Sequence, residues 1–180
     1  MTDDQRVFPS GLIMAGGRGS RLGFIEKGMI KIGEKTLLEM IFTALSKTVH
    51  SIYLCGSLNS PGANKFAHSH GINFIMGSGR SYTEDLMKSL GLIEDYPVIV
   101  LPSDAYFSDE EAILEIALLS AGSKGELVNI ISEGNETGIS VFKAKPVGSE
   151  TLSYADLHIR SRIVNINTRE QLLKLIRINQ

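Results

Sequence analysis

Leu12-Ile-Met-Ala-Gly-Gly-Arg-Gly-Ser-Arg-Leu-Gly-Phe-Ile-Glu-Lys-Gly-Met-Ile-Lys31 runs from an apolar segment directly into a glycine-rich one. Leu12 to Ala15 reads as a short buried strand. Gly16, Gly17, Gly19 and Gly23 follow, four glycines in eight residues. Glycine has no side chain to hold a ligand away and tolerates positive φ, so the backbone N–H groups of such a loop can close around an anion. Arg18 and Arg21 punctuate the loop, Lys27 and Lys31 follow it, and Glu26 is the one acid among them. A strand that feeds a cationic glycine loop belongs in a parallel α/β sheet and suits the phosphates of a nucleoside triphosphate.

Two common glycine motifs do not fit. A P-loop requires Lys directly after its last glycine, and Gly23 is followed by Phe24. A dinucleotide fingerprint requires Gly-x-Gly-x-x-Gly opening a helix, whereas Gly17, Gly19 and Gly23 are spaced differently and the next periodic run begins only at Thr36. Glu39 lies at the distance where that fingerprint places its acid, but inside the helical run.

Outward from the loop, strand-like runs alternate with helix-like ones. The strand candidates are Leu12–Ala15, Ser51–Leu54, Ile72–Met76, Val98–Leu101, Val128–Ile131, Ile139–Lys143 and Ile163–Ile166. Several are continuously apolar, as strands covered on both faces are. Helical periodicity appears near 36–48, 81–93, 109–121 and 168–178. Each helix is preceded by a capping-box pair: Thr36 with Glu39, Ser81 with Glu84, Ser108 with Glu111, and Thr168 with Gln171. The acidic run Asp109-Glu110-Glu111 reads as a first helical turn favoured by the helix dipole. The alternation predicts an α/β fold: a three-layer, doubly wound, mostly parallel sheet of Rossmann-like type. Its ligand edge gathers the loops after Ala15, Met76 and Leu101. Residues 1–180 read as a single domain in which 1–8 form a disordered polar tail. Residues 144–162 read as a connection or a short helix.

Composition narrows the partners. The chain has 180 residues, 43% hydrophobic and 21% charged, with a formal net charge of −2. No global basic field argues for nucleic acid. No apolar run reaches the length of a membrane span, and the first residues lack a signal-peptide core, so the expected location is the cytoplasm. Cys55, the single cysteine, sits in an apolar run and reads as a core residue. His68 and His70 read as solvent-exposed rather than metal-bound.

The pattern Leu-x-Ala-Gly-Gly-x-Gly-x-Arg-Leu-Gly followed by Glu26-Lys27 resembles the signature of the nucleotidyltransferases, which activate sugars, cofactors and alcohols with nucleoside triphosphates. The match covers Ala15, Gly16, Gly17, Gly19, Arg21, Leu22, Gly23, Glu26 and Lys27. Gly28 stands where that family usually has proline. Two further segments extend the resemblance. Leu101-Pro102-Ser103-Asp104 ends a strand, as the family's metal-binding aspartate does. Val164-Asn165-Ile166-Asn167-Thr168 and the residues after it look like the family's Asn-x-Asn-Thr-Pro-Glu-Asp-Leu ending, with Arg169 in place of proline. Gly77-Ser78-Gly79-Arg80-Ser81-Tyr82-Thr83-Glu84-Asp85-Leu86 is most similar to one subgroup, the archaeal-type GTP:adenosylcobinamide-phosphate guanylyltransferases. Molybdenum cofactor guanylyltransferases are a more distant likeness.

The resemblance implies transfer of GMP from GTP to adenosylcobinamide phosphate, with release of pyrophosphate, in cobalamin biosynthesis. Lys27 and Arg21 take catalytic roles: the Arg21 guanidinium forks onto phosphate, and Lys27 sits on the α-phosphate. Leu12, Ala15, Gly16, Gly17, Arg18, Gly19, Ser20, Gly77, Ser78, Gly79 and Arg80 line the nucleotide, with Leu12 as wall rather than chemistry. Asp104 and Asn167 hold Mg²⁺, a hard ion that prefers oxygen ligands, and Asn165 is the less favoured second ligand. Glu84 caps its helix, and Asp85 has no assigned role. The expected partners are GTP and a phosphorylated small-molecule acceptor, a corrinoid by resemblance, with a homodimer left open. The alternatives are the same chemistry on a molybdopterin, sugar phosphate or lipid-linked phosphate, and a non-catalytic nucleotide-binding domain. Loop spacing disfavours a dinucleotide oxidoreductase.

Overall fold

In the computed structural model, which describes residues 6–16, 26–147 and 151–178, strand β1 (Phe8–Met14) is the centre of the molecule. From Leu12 on, its residues alternate between two cores. Ile13 and Ala15 point into one cluster, and Leu12 and Met14 into the other. A strand covered on both sides has no polar face, which explains its continuous apolar reading.

Around β1, strands β4 (Val49–Gly56), β5 (Asn73–Met76), β6 (Val98–Pro102), β8 (Leu127–Ser132), β9 (Asn135–Phe142) and β10 (Tyr154–Ile159) complete a seven-stranded sheet in the order β10-β8-β9-β6-β1-β4-β5. β1 is parallel to both β4 and β6, β4 to β5, and β10 to β8. Only β9 runs antiparallel to its neighbours, β6 and β8. Two small antiparallel pairs flank the sheet: β2 (Lys31–Ile32) with β3 (Lys35–Thr36), and β7 (Ala105–Phe107) with β11 (Ile163–Asn165).

Helices α1 (Leu37–Thr48), α2 (Pro61–Ser69) and α4 (Ala112–Ala121) cover one face of the sheet. They bury Ile41, Leu45, Phe66, Ile113 and Ile116 against Ile13, Leu54, Ile99 and Leu101. Helix α3 (Tyr82–Leu92) covers the other face, where Leu90 meets Leu12, Met14, Cys55 and Val100. Helix α5 (Arg169–Ile178) packs Leu172 and Leu175 on Ile32, Leu37 and Ile166. This is the expected three-layer, mostly parallel α/β sheet. The sheet winds from β1 through β4 to β5 on one side and resumes at β6 on the other. The switch point, where such sheets open a crevice at their carboxyl ends, therefore lies beside β1.

The capping signals fare unequally. Thr36 and Glu39 form a complete box: Glu39 N donates to Thr36 Oγ1 at 3.1 Å, and Thr36 N donates to the Glu39 carboxylate at 2.5 Å. Thr168 and Gln171 do the same at 3.2 and 3.0 Å. Ser81 accepts from Glu84 N at 3.4 Å. The Ser108–Glu111 box does not form. Ser108 Oγ donates to Arg162 O instead, and Glu111 N donates to Asp109 Oδ1, so Asp109–Glu111 is a turn that precedes α4 rather than its first helical turn.

Three further expectations need correction. The polar tail ends earlier than residue 8, because Val7 N donates to Thr48 O and Phe8, 4% exposed, already belongs to β1. Helix α2 stands in a stretch that carries no helical periodicity in the sequence. Residues 154–159, expected to be a connection or short helix, form the edge strand β10, whose side chains alternate between exposed and covered. Cys55 is buried, and His68 and His70 are exposed, as read.

Candidate active site

The backbone brings the carboxyl ends of four strands to one level. Ala15 N donates to Cys55 O at 2.7 Å, Gly77 N to Gly56 O at 2.7 Å, and Ser103 N to Met14 O at 3.0 Å. Beyond these bonds Gly16 and the first residues after β4, β5 and β6 lie at the same edge. Gly17, Arg18, Gly19, Ser20 and Arg21 lie outside the described residues, so their expected roles have no structural description here.

The centre of the site is a cation held by two oxygens from distant parts of the chain. Lys27 Nζ donates to Asp104 Oδ2 at 2.6 Å and to Asn167 Oδ1 at 3.0 Å. The Lys27 and Asp104 side chains are 20% and 13% exposed, enough shielding for the charge pair to matter and enough opening for a ligand to reach it. Each partner is placed by local structure. Asp104 sits in the turn between β6 and β7, and its carbonyl accepts from Ile166 N at 3.0 Å. That bond, with the β7–β11 ladder, carries Asn167 to the same point from 63 residues downstream (167 minus 104). Asn167 N also donates to Gln171 Oε1 at 2.8 Å, which ties it to the start of α5.

Lys27 opens a 3-10 turn, Lys27–Met29, closed by Met29 N to Glu26 O at 2.9 Å and Ile30 N to Lys27 O at 3.1 Å. Glu26 anchors this turn from the outside. Its carboxylate accepts from Gly62 N at 2.9 Å and Ala63 N at 2.5 Å, at the N-terminus of α2. Ser60, the residue in the N-cap position, supplies no side-chain cap, so Glu26 satisfies those orphan N–H groups in trans. Gly28 packs on Ser103: a Cβ at residue 28 would meet the Ser103 Cβ at 3.2 Å. The turn that presents Lys27 is thus fixed by Glu26 and by contact with the β6 end, without a proline.

On the other side of the crevice, Ala15 is buried at the end of β1 and Gly16 is partly open. Gly16 O accepts from Ser57 Oγ at 3.1 Å. Gly77 is buried, Ser78 and Arg80 are exposed, and Gly79 holds φ at +66°, a left-handed conformation that favours glycine. Ser78 N and Gly79 N donate to the carboxylate of Asp85 at 2.5 and 2.9 Å. Burial pushes the Asp85 carboxyl up, but these bonds outweigh it and hold the group below its ordinary range. Tyr82 begins α3 and is 54% exposed as a whole residue. Burial around the phenol, and after it the Asp104 charge, push its pKa up.

The structure therefore brings together Lys27, Asp104 and Asn167, and sets Ala15, Gly16 and Gly77–Arg80 around the same edge. Leu12 is different. Its side chain is wholly buried in the core beneath α3, two residues before β1 ends. Asn165 makes no bond to Lys27 like that of Asn167: its Oδ1 is buried and has no hydrogen-bond partner among the described residues. Sequence reading missed two residues. Glu26 was visible only as part of a motif, although an acid two positions before a glycine turn is unremarkable. Asp85 carried a signal, an acid at the fourth position of a helix already capped by Ser81. Among the described residues no three His, Cys, Asp or Glu side chains group as a metal site.

Residues 11–165 match the model of the MobA-like NTP transferase domain, and the chain belongs to that family. The family is one of nucleotidyltransferases, and the lysine–aspartate pair lies at the carboxyl edge of the sheet, where α/β folds of this kind take their ligands. Two curated proteins sharpen the comparison. Adenosylcobinamide-phosphate guanylyltransferase of Methanocaldococcus jannaschii is 35% identical over 99 residues, 52% of this chain and 50% of that protein. A protein named as a molybdenum cofactor guanylyltransferase in Methanosarcina mazei is 36% identical over 58 residues, 32% of this chain and 26% of that one. The matched stretches thus span half or less of these relatives' lengths. Among solved structures, the inositol-1-phosphate CTP transferase of T. maritima superposes with a TM-score of 0.69, covering 97% of both chains at 12% identity, a likeness of fold.

Proposed function

We propose that this chain transfers GMP from GTP to adenosylcobinamide phosphate and releases pyrophosphate. The observation that carries the chemistry is the bonding of Lys27 to both Asp104 and Asn167 at the sheet's switch point. The guanine and the acceptor rest on the relative from Methanocaldococcus jannaschii, to which half of this chain is 35% identical. Both curated relatives carry guanylyltransferase in their names, which supports GTP as donor.

In this reading an acceptor phosphate oxygen attacks the α-phosphorus of GTP. The bond from the α-phosphorus to the bridging oxygen breaks, and pyrophosphate leaves with the electron pair. Such a transfer needs alignment and charge neutralisation more than covalent help. The glycine loop with Arg21 holds the β- and γ-phosphates. Lys27 leaves its ion pair to meet the charge that builds on the α-phosphoryl oxygens. Gly16 and the Gly77–Arg80 loop flank the base.

Asp104 Oδ2 and Asn167 Oδ1 already converge on one cation, the Lys27 ammonium. Two hard oxygen donors so arranged fit Mg²⁺, whose remaining ligands in nucleotide sites are phosphate and water. Mg²⁺ bound there would neutralise phosphate charge. Asp104 and Asn167 would hold it, and Lys27 would be freed for the nucleotide.

The second reading keeps the donor and changes the acceptor to a molybdopterin, favoured by the 58-residue match to the Methanosarcina mazei protein. Pyrophosphate release with each of the four nucleoside triphosphates, with adenosylcobinamide phosphate, with molybdopterin and with neither, separates the cases. Release with GTP and adenosylcobinamide phosphate alone is expected. Release with molybdopterin alone supports the second reading, and nucleotide binding without release under any pairing marks a binding domain.

A further inference from the structure

Asp85 is 4% exposed, a carboxylate buried at the carboxyl edge of the sheet rather than in a core ion pair. It is not needed to cap α3, because Ser81 does that. Instead it fills a concavity of the preceding loop. Ser78 N and Gly79 N, two successive N–H groups, converge on its two oxygens at 2.5 and 2.9 Å. Such a pair of N–H groups is a nest that elsewhere holds a bound anion. Here the anion is built into the chain.

The loop is fitted closely around this carboxylate. A Cβ on Gly77 would come within 2.8 Å of Asp85 Cγ, so residue 77 has no room for a side chain. On its far side, a Cβ on Gly79 would lie 3.0 Å from Ser57 Cβ. Ser57 Oγ in turn donates to Gly16 O at 3.1 Å. Asp85 Oδ2 also lies 3.7 Å from where a Gly16 Cβ would be. Asp85 and Ser57 thus clamp the loop after β5 to Gly16, just beyond the end of β1.

We infer that Asp85 is a positioning residue that sets how much the nucleoside part of the ligand, as opposed to its phosphates, contributes to binding. The inference rests on the nucleotidyltransferase reading of this site. By holding residues 77–80 at a fixed distance from Gly16, Asp85 fixes the width of the slot that receives the base. The phosphate side draws on Lys27, which Asp104, Asn167 and the Glu26-anchored turn hold from other elements, and so leans on Asp85 far less.

The experiment compares GTP with inorganic tripolyphosphate, both titrated calorimetrically into the full chain with Mg²⁺. The ratio of the two affinities in the wild type reads the guanosine contribution. In Asp85→Asn one carboxylate oxygen becomes an NH₂ facing an N–H donor, and GTP affinity falls on the order of tenfold while tripolyphosphate affinity stays within about twofold. Gly77→Ala pushes the carboxylate out of the nest from the other side and produces the same pattern; the double variant is no worse than the worse single one. Thermal melts establish that each variant is folded, and Gly77→Ala carries the test if Asp85→Asn does not fold. An unchanged affinity ratio in a folded variant, an equal loss for both ligands, or a wild-type ratio near one overturns the inference. A wild type that binds neither GTP nor tripolyphosphate overturns the nucleotidyltransferase reading itself.

Discussion

Replacing Lys27 by methionine tests the central pair, because methionine keeps an unbranched apolar stem and removes only the ammonium. At 2.6 Å the gross attraction between Lys27 and Asp104 is about 6 kcal/mol for an effective dielectric of about 20. Most of that is offset by the desolvation of two charges that are 20% and 13% exposed. What Lys27→Met exposes is the residue left behind: Asp104, largely shielded and reduced to the neighbourhood of Asn167. Leaving a charged group unpaired in such a place costs about 2 kcal/mol. Asp104→Asn strands the ammonium instead, with Asn167 Oδ1 still accepting from it at 3.0 Å, and costs about 1 kcal/mol.

The double variant carries neither charge. Its loss is expected to be smaller than the sum of the single losses by at least about 1 kcal/mol, well beyond the ~0.5 kcal/mol scatter of independent sites. Urea denaturation followed at constant m-value reads this coupling. Pyrophosphate release reads the chemistry: Lys27→Met is expected to lose about two to three orders of magnitude in turnover, the scale on which a group stabilising transition-state charge contributes. Additive stabilities would show that the two side chains do not hold one another in solution. Turnover within about tenfold of wild type would remove Lys27 from the reaction.

Three further outcomes follow from other parts of the structure. Glu26→Ala leaves Gly62 N and Ala63 N without their acceptor, so a destabilisation of about 1 kcal/mol is expected in urea, with a rise in KM for nucleotide because the Lys27 turn loses its anchor. Gly125→Ala places a Cβ 2.7 Å from Ala155 N and 2.9 Å from Leu127 O, both backbone atoms that cannot step aside cheaply; about 2 kcal/mol is lost, and limited proteolysis cuts near β10 sooner than in wild type. Burial raises the Glu115 carboxyl, but N–H bonds from Arg160 and Ser161 at 2.9 and 3.0 Å outweigh it and lower the pKa. A lowered folded-state pKa means that its stabilisation is complete above the ordinary carboxylate range and is lost as pH falls through the folded value. Glu115→Gln is therefore less stable than wild type by about 1 kcal/mol at pH 7, and melts at pH 7 and pH 3 show the gap closing at the acid end.

How far the chain could be read from its residues depended on how local each determinant was. β1 and β6 were legible because a strand buried on both faces reads as a nearly continuous apolar run, as Ile99 to Leu101 do. The Thr36 and Thr168 caps were legible because both bonding partners lie within one turn. Helix α2 was not, because only Ala63, Phe66 and Ala67 face the core and its N-terminus is satisfied by Glu26, 36 residues before Gly62. The one local clue was Pro61 at its first position. β10 hid for the opposite reason to β1: an edge strand needs only alternate residues covered, and Ala155, Leu157 and Ile159 are too few to stand out.

The site divides along the same line. Lys27, Asp104 and Asn167 could be named from three separated motifs, but nothing within any one motif says that their side chains meet. Their meeting is a product of the β7–β11 ladder and of the Ile166-to-Asp104 bond, which close a loop from the sheet's centre to the last helix. Asp85 shows the converse. Its neighbours in sequence supply both of its bonds, yet its role was opaque, because an acid in a first helical turn has a sufficient local explanation in the helix dipole. Only the concavity it fills separates the two roles. A carboxylate serving the dipole alone would stay in solvent, whereas this one is buried between Gly77 and Gly16, where charge is costly unless the two N–H groups are what it is there to hold.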